Sequence, residues 1–344
     1  MAPPRPSYAL AIVGIAATLW LLIEARPVLE PIVLSLLIWF LVVAVAGVYA
    51  RLFGGAGKPP GRWSLVAAAT TLFLVIFGVS MMASASLAGF RENLPAYEQN
   101  LQAMLAGVGD RFGMDGPIDV SAIVQQMEVR DVLLGLAGSA LGFASGMVVV
   151  LVYVVFIFSE ASVAQAKLAA LSGDQDQLAR LTATSRKIHR DIELYLGVKC
   201  VIGLAQAVPT FAVLALVGVD GAAVWSVVIF FASFVPTIGT LIGIVFPSVV
   251  ALVQFDTLGP FLLAFVPLVV IQLAGSNWLE PKLMGSSLNL SPLVILIGIF
   301  AGGAVWGITG ALVAVPALNI AMIVFAQIES MRPVAILLSE NGKV

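Results

Sequence analysis

The chain has 344 residues, of which 60% are hydrophobic and 10% are charged, and its formal net charge is -2. Soluble domains are about 45 to 50% apolar and about 25% charged, so this composition excludes an ordinary soluble domain and indicates an integral membrane protein. The nearly balanced charge also excludes the basic surface that binds phosphate groups, and we expect no nucleic-acid partner.

Apolar segments long enough to approach or cross a bilayer recur along the chain. A helix needs about 20 apolar residues to cross a hydrocarbon layer about 30 Å thick. The first segment follows Arg5 and resembles a signal peptide, but no small-residue cleavage site follows it, so we interpret it as a retained span. The pattern predicts an all-α integral membrane protein with about 7 to 8 membrane segments. The candidate spans are 8–23, 31–50, 63–88, 133–158, 198–218, 222–254, 258–275 and 292–328.

Positive charge in the short connections predicts the orientation of the chain. The 51–62 connection carries three basic residues and no acid, so we expect it in the cytoplasm. The 89–132 segment has three basic residues against seven acids and is expected outside, whereas 159–199 has six Lys or Arg residues and is expected inside. This alternation places both the N-terminus and the C-terminus in the cytoplasm.

Two polar inserts divide the membrane segments. Residues 89–132 are predicted to form an external helical insert. Residues 159–197 are predicted to hold a cytoplasmic amphipathic helix, which lies at the inner membrane surface, against a neighbouring subunit, or against the same chain. The apolar stripe of that helix is Leu178, Leu181, Ile188, Ile192 and Leu196. The predicted organisation is then spans one to three at 1–88, the external insert, span four at 133–158, the amphipathic helix, a C-terminal membrane region at 198–330 and a cytoplasmic tail at 331–344.

Residues suited to catalysis are scarce, and we expect neither an enzyme nor a cofactor. The sequence contains no HExxH and no GxSxG motif, and the segment GGAGKPP lacks the first glycine and the Ser or Thr of a phosphate-binding loop. Cys200 is the single cysteine and His189 the single histidine, which excludes internal disulfides and a Cys/His metal cluster. His189 lies among charged residues and is expected to be solvated.

Glycines spaced four residues apart predict close helix packing. In lipid, small residues at positions i and i+4 let two backbones approach and gain van der Waals contact. The spacing alone does not distinguish contacts within a subunit from contacts between subunits. The pairs are Gly138, Gly142 and Gly146 in span four, then Gly239 with Gly243, Gly298 with Gly302, and Gly303 with Gly307.

Prolines and glycines interrupt the two longest apolar segments near their middles. Pro236 is expected to free the carbonyl of Ala232, and Pro247 and Pro316 act in the same way on the carbonyls four residues before them. A freed carbonyl at membrane depth needs a partner in protein or water. Each segment is therefore predicted to be either one broken crossing or a re-entrant hairpin, beside a transport site. Uncharged polar residues accompany the breaks, namely Thr237, Thr240, Gln272, Asn277, Thr309 and Asn319.

The stretch NWLEPKLMGSSLNLSP, residues 277–292, places two charges within the apolar C-terminal region. Glu280 precedes a proline, which favours an extended backbone and predicts a connection between two helices. Glu280 and Lys282 are too close in sequence to pair across a helix face, so each is expected to find another partner. Ser291 followed by Pro292 is typical of a helix start.

The segments FVPTIGTLIG, NWLEPKLMGSSLNLSP and GGAVWGITGALVAVP, in this order, resemble the signature region of the bacterial autoinducer-2 exporter family. The resemblance implies a multi-span helical transporter of the cytoplasmic membrane that works as a homo-oligomer such as a pentamer. By the same resemblance, Glu280, Pro281, Lys282 and Gly285 occupy the family's E-P-K-x-x-G motif. The family includes exporters of autoinducer-2, a quorum-sensing signal, as well as sodium or lithium/proton antiporters.

Three functional hypotheses follow. The first is export of a small polar solute, with autoinducer-2 as the leading candidate. The second is cation/proton antiport with Glu280 or Asp256 as the exchanging carboxylate, and the third is a structural membrane protein whose inserts dock partners. The residues predicted to line a transport path are Glu280, Lys282, Pro281, Asn277, Gly285, Pro236, Thr237, Gly239, Thr240, Gly303, Gly307, Thr309, Gly310 and Pro316.

Overall fold

A computed structural model describes most of the chain. The described residues are 8–54, 61–75, 77–78, 81–82, 89, 93, 96–97, 99–100, 149–161, 163–164, 166–170, 174–255, 257–284 and 289–343. Most of the predicted external insert, and the glycines predicted to pack in span four (Gly138, Gly142 and Gly146), lie outside these residues.

Helices account for nearly all of the described structure, which confirms the predicted all-α fold for this part of the chain. A single isolated bridge between Leu290 and Ser339 is the extended pairing seen there. A π-helical turn at Gly275–Leu279 and a 3₁₀ turn at Glu329–Met331 interrupt the α-helices. The α-helices are α1 (Tyr8–Glu24), α2 (Arg26–Gly54), α3 (Arg62–Val75), α4 (Val149–Ala161), α5 (Gln175–Val217), α6 (Ala222–Ala232), α7 (Ile238–Gln254), α8 (Leu258–Ala274), α9 (Glu280–Met284), α10 (Pro292–Ala326) and α11 (Arg332–Leu338).

Four of the described helical segments are long and apolar enough to cross a membrane. They are Arg26–Ala50, Gln175–Val217, Leu258–Met284 and Pro292–Ala326. Shorter apolar helices are α3, α4, α6 and α7. These lengths and compositions fit an integral membrane protein, while the total of 7 to 8 membrane segments stays a prediction.

Helix α5 joins two elements that the sequence suggests are separate. The amphipathic segment at 174–196 and the span at 198–218 form one helix of 43 residues. At about 1.5 Å per residue this helix is about 65 Å long, roughly twice the thickness of a hydrocarbon layer. Along the predicted apolar stripe, Ile192 and Leu196 are buried, whereas Leu181 is exposed.

The chain forms two compact units. The first contains residues 1–41, 146–193 and 286–344, and the second contains residues 42–145 and 194–285.

In the first unit, α10 folds back on itself. Trp306 and Gly307 have non-helical backbone angles, and Gly307 has φ of 62°, which favours glycine. A Cβ added to Gly302 would overlap the backbone of Gly310, and one added to Gly298 would meet the side chain of Leu318. The two halves of α10 therefore pack as an antiparallel helical hairpin. The glycine spacing predicted close packing here, and the contact lies within one chain.

The tip of this hairpin is held by α1 and α2. The indole Nε1 of Trp306 donates a hydrogen bond to the carbonyl of Leu22 at 2.8 Å. Arg26 pairs with Glu30 at 2.9 Å, and its Nη2 lies 3.5 Å from the Trp306 carbonyl. Arg26 therefore hydrogen-bonds one of the backbone carbonyls at the break in α10.

In the second unit, α6 and α7 form another antiparallel helical hairpin. The rings of Trp225 and Phe246 stack with centroids 6.0 Å apart, and they lie at similar distances on either side of the break at Pro236. Gly239 packs directly on the backbone of Ala232. An apolar cluster joins α5, α7 and α8, and its buried members are Leu214, Val219, Val250, Ala251, Ala264 and Leu268.

Candidate functional site

A buried ion pair lies within the second unit. The Nζ of Lys199, on α5, lies 2.5 Å from Oε1 of Glu280, the first residue of α9. The Lys199 side chain is 0% exposed, and that of Glu280 is 22% exposed. A buried charge is costly unless it is paired and hydrogen-bonded, so each member depends on the other.

Lys199 also hydrogen-bonds the backbone of the link between α6 and α7, which is residues 233–237. Its Nζ donates to the Ser233 carbonyl at 3.0 Å, and the hydroxyl of Tyr195, one turn earlier on α5, donates to the Phe234 carbonyl at 3.0 Å. The carbonyl of Ala232, which Pro236 was expected to leave free, accepts the Val235 N–H at 2.9 Å. The carbonyls that accept side-chain hydrogen bonds are therefore those of Ser233 and Phe234.

The link contains one strained residue. Thr237 has φ of 63° and is the one non-glycine residue with positive φ in the described part of the chain. A threonine in that region costs about 1 to 3 kcal/mol and persists only where its surroundings enforce it. The side chains of Lys199 and Tyr195 supply part of that constraint.

The backbone at Glu280 differs from the prediction. Its φ of -61° and ψ of -52° are helical, and its N–H bonds the carbonyl of Gly275, five residues earlier. The prediction that Glu280 is extended is therefore wrong. The physical reason is the π-helical turn, because its wider ring shifts the hydrogen-bond register by one residue and accommodates Pro281 without an α-helical N–H. The helix does end before α10, which begins at Pro292 with Ser291 at the N-cap position.

Lys282 contacts a different partner from Glu280. Its ammonium lies 5.0 Å from the centre of the exposed Trp278 ring, a cation–π contact. The expectation that Glu280 and Lys282 do not pair is confirmed. Lys282, Asn277 and Pro281 are all exposed, so Glu280 is the one of these four residues whose side chain is partly buried.

Polar side chains continue from the ion pair between α5, α7 and α8. Thr240 and Ser276 share a hydrogen bond of 2.6 Å. The Nε2 of Gln206 donates to the Gln272 carbonyl at 3.3 Å and lies 3.5 Å from Oγ of Ser276. Gly243 packs against the Gln272 amide, so the glycine leaves space for that side chain.

The remaining predicted path residues fall into several places. Pro236, Thr237 and Gly239 lie at the turn of the α6–α7 hairpin in the second unit. Gly285 and Asp256 lie outside the described residues. Those that belong to the α10 hairpin of the first unit are Gly303, Gly307, Thr309, Gly310 and Pro316.

Metal-ligating groups do not gather in the part of the chain that the structure describes. No group of three His, Cys, Asp or Glu side chains there could hold a metal ion. His189 is half-buried against the rings of Trp39 and Phe40, with centroids 5.4 Å and 5.2 Å away, so the expectation of a solvated side chain is wrong. The neighbouring Lys187 and Arg190 are exposed instead.

Sequence reasoning missed Lys199, Tyr195 and Gln206 as members of the site. One signal was present: Lys199 is a single charge at the start of the apolar run that forms the C-terminal half of α5. Ionisable residues inside membrane segments face the protein interior and pair there.

Comparison with known proteins identifies the family. The family model described as AI-2E family transporter matches residues 9–330. The chain belongs to the AI-2E transporter family. A candidate transport protein of Borreliella burgdorferi is 27% identical over 304 residues, which cover 85% of this chain and 79% of the relative. One of Haemophilus influenzae is 24% identical over 321 residues, covering 90% and 91%.

A third relative has a more specific name. The AI-2 transport protein TqsA of Escherichia coli is 27% identical over 257 residues, which cover 73% of this chain and 73% of that protein. The sequence resemblance to this family is thereby confirmed over nearly the whole length of the chain. Membership supports a membrane transporter.

Proposed function

We propose that this AI-2E family transporter exports a small polar solute, with autoinducer-2 as the leading candidate. The name of TqsA supports the solute. We further propose that it works in the bacterial cytoplasmic membrane with both termini inside, that its two hairpins are re-entrant, and that it forms a homo-oligomer such as a pentamer.

The observation that carries the proposal is the meeting of two interrupted helices at the Lys199–Glu280 pair. Discontinuous helices at membrane depth expose backbone groups that bind solutes or ions in transporters. Here the break at Pro236 and the π-helical turn at Gly275–Leu279 lie on either side of one buried ion pair. Because the pair neutralises its own charge, the surroundings suit a neutral solute that bears hydroxyl groups.

A flux assay tests the proposal directly. Liposomes that contain the purified protein are loaded with labelled autoinducer-2, and efflux is followed for wild type, Glu280→Gln and the matched control Glu329→Gln, at an exposed position. We expect efflux from wild type, a loss of at least about tenfold in Glu280→Gln because Lys199 is left with an unpaired buried charge, and near-normal efflux in the exposed control. Wild-type efflux no faster than from empty liposomes contradicts the proposal.

A second candidate is sodium or lithium/proton antiport, which the partly buried carboxylate of Glu280 favours. The same liposomes test it when a pH gradient is imposed and sodium or lithium is added. Collapse of the gradient in wild type, but not in Glu280→Gln, assigns antiport. If the pH gradient persists in wild type after sodium or lithium is added, antiport is rejected and solute export is the remaining candidate.

A further inference from the structure

Polar side chains follow one face of α5 beyond the ion pair. Lys199, Gly203, Gln206 and Thr210 are spaced by four, three and four residues, which places them on one side of the helix. The side chains of Lys199 and Thr210 are fully buried, and that of Gln206 is 3% exposed. Over the eleven residue steps from Lys199 to Thr210 the face extends about 16 Å.

The two helices packed against this face contribute further polar groups. Gln272 and Ser276 follow α8 into the π-helical turn, and Thr240 begins the matching face of α7. Gln206 reaches Gln272 and Ser276, and Ser276 reaches Thr240, as described above. We call the residues Gln206, Thr210, Thr240, Gln272 and Ser276 the polar stripe.

Several atoms of the polar stripe have no hydrogen-bond partner among the described residues. They are Oγ1 of Thr210 and both Nε2 and Oε1 of Gln272, and both side chains are 0% exposed. Leaving a buried polar group unpaired costs about 1 to 3 kcal/mol, and such groups are rare in proteins unless a ligand or water completes them. A side-chain amide without partners presents both a donor and an acceptor.

The stripe is closed at both ends in this structure. The Lys199–Glu280 pair lies at one end. At the other end, the next residue on the α5 face is Leu214, which packs with Ala251 of α7 and Leu268 of α8 in the apolar cluster. The unpaired atoms of Thr210 and Gln272 therefore lie between the Lys199–Glu280 ion pair and the apolar cluster.

We propose that the polar stripe is the solute-binding site, and that its ligand is a small neutral solute carrying several hydroxyl groups. The inference rests on the proposed export function and locates its site away from the exposed residues of the E-P-K-x-x-G motif. Hydroxyl groups match the stripe because each can both donate to and accept from the Gln272 amide and the Thr210 hydroxyl. The stripe contains no net charge to attract an ion.

Substitutions of nearly equal volume test the site. Gln272→Leu and Thr210→Val remove the unpaired atoms and keep the packing, whereas Ser226→Ala is the control, because the Ser226 hydroxyl already bonds the carbonyl of Ala222 within α6. Efflux of labelled autoinducer-2 is measured against concentration in liposomes. Erythritol and 1,4-butanediol, which share a four-carbon chain but differ by two hydroxyls, serve as competitors.

In wild type and the control, we expect erythritol to compete more strongly than 1,4-butanediol. In Gln272→Leu the half-saturating concentration of autoinducer-2 should rise about tenfold, because the loss of one good hydrogen bond weakens binding by about that factor. The preference for erythritol over 1,4-butanediol should also decrease. The thermal unfolding midpoint of both variants should equal or exceed that of wild type, because an unpaired buried group has been removed. That combination separates lost binding from damaged folding.

Other results overturn the inference or the function separately. If wild type transports and both variants keep its half-saturating concentration, the stripe is not the site and export stands. If wild type carries no solute, purified protein is heated with and without erythritol. If erythritol raises the unfolding midpoint of wild type but not that of Gln272→Leu, the stripe binds the solute although export is rejected. If erythritol does not raise the midpoint of wild type, both the site and the export function are rejected.

Discussion

The hydroxyl of Tyr97 donates a hydrogen bond of 2.5 Å to Oδ2 of Asp220, and the same carboxylate oxygen accepts a second bond of 3.0 Å from the amide of Asn93. The backbone N–H of Asp220 in turn donates a hydrogen bond of 2.7 Å to Oε1 of Gln254. Two residues of the predicted external insert are thus hydrogen-bonded to the connection between α5 and α6, within the second unit.

Tyr97→Phe should destabilise the protein through this contact. The substitution keeps the buried ring and removes a donor from a carboxylate, so we expect a loss of about 1 to 3 kcal/mol in the free energy of unfolding. Thermal or denaturant unfolding in detergent measures it. Tyr153→Phe, at a half-buried tyrosine of α4, is the control, and an equal loss there contradicts a specific role for the Tyr97 hydroxyl.

The same tyrosine predicts a pH dependence. Burial first, and then the hydrogen bond to Asp220, raise the pKa of Tyr97 above its ordinary value. A tyrosine with a raised pKa in the folded state stabilises the fold fully below about pH 10, the unfolded value, and this contribution is lost as the pH rises further. Wild type should therefore lose stability above about pH 10 more steeply than Tyr97→Phe. Parallel curves for the two proteins contradict this prediction.

Removing one member of the central ion pair should cost more than removing both. Lys199→Met leaves the Glu280 carboxylate without its ammonium, and we expect about 3 to 5 kcal/mol of destabilisation. The double variant Lys199→Met with Glu280→Met leaves no unpaired charge and should lose much less. Lys282→Met, which removes only an exposed cation–π contact, should cost about 0.5 to 1 kcal/mol. Additive losses in the double variant argue against a direct interaction.

The α10 hairpin predicts opposite effects for two glycines in the same helix. A Cβ at Gly310 would overlap the backbone carbonyl of Gly302, so Gly310→Ala should force the two halves apart and lower the thermal midpoint strongly. A Cβ at Gly303 would meet only the Cβ of Ala311, at 3.9 Å. Gly303→Ala should therefore be tolerated or gain up to about 1 kcal/mol from helix propensity. Equal midpoints for the two variants would show that the hairpin does not close as described.

The sequence predicted the features that depend on local chemistry. Apolar length predicted the helices, and the proline and glycine clusters at Pro236 and Gly307 predicted where two of them break. The glycine spacing at Gly298 and Gly302 predicted close packing. Each of these follows from the covalent properties of residues within a few positions of one another.

Features that depend on distant residues could not be predicted in the same way. Lys199 and Glu280 are separated by 81 positions, so no periodicity relates them. The choice between a broken crossing and a hairpin at Pro236 depends on whether Trp225 meets Phe246, which only the folded chain decides. The local rule for a residue before proline gave the wrong backbone at Glu280, because the π-helical turn accommodates Pro281 within the helix while Glu280 keeps the helical angles that the rule disfavours.

That turn has a consequence for how the carboxylate is aimed. A π-helical turn holds one more residue than an α-helical turn, and each residue of an α-helix rotates its side chain by about 100° about the axis. Forcing the five residues Gly275–Leu279 into an α-helix, without removing one, would therefore turn Glu280 away from Lys199 by about a quarter of a circle. The orientation of the ion pair thus depends on this one turn remaining π-helical.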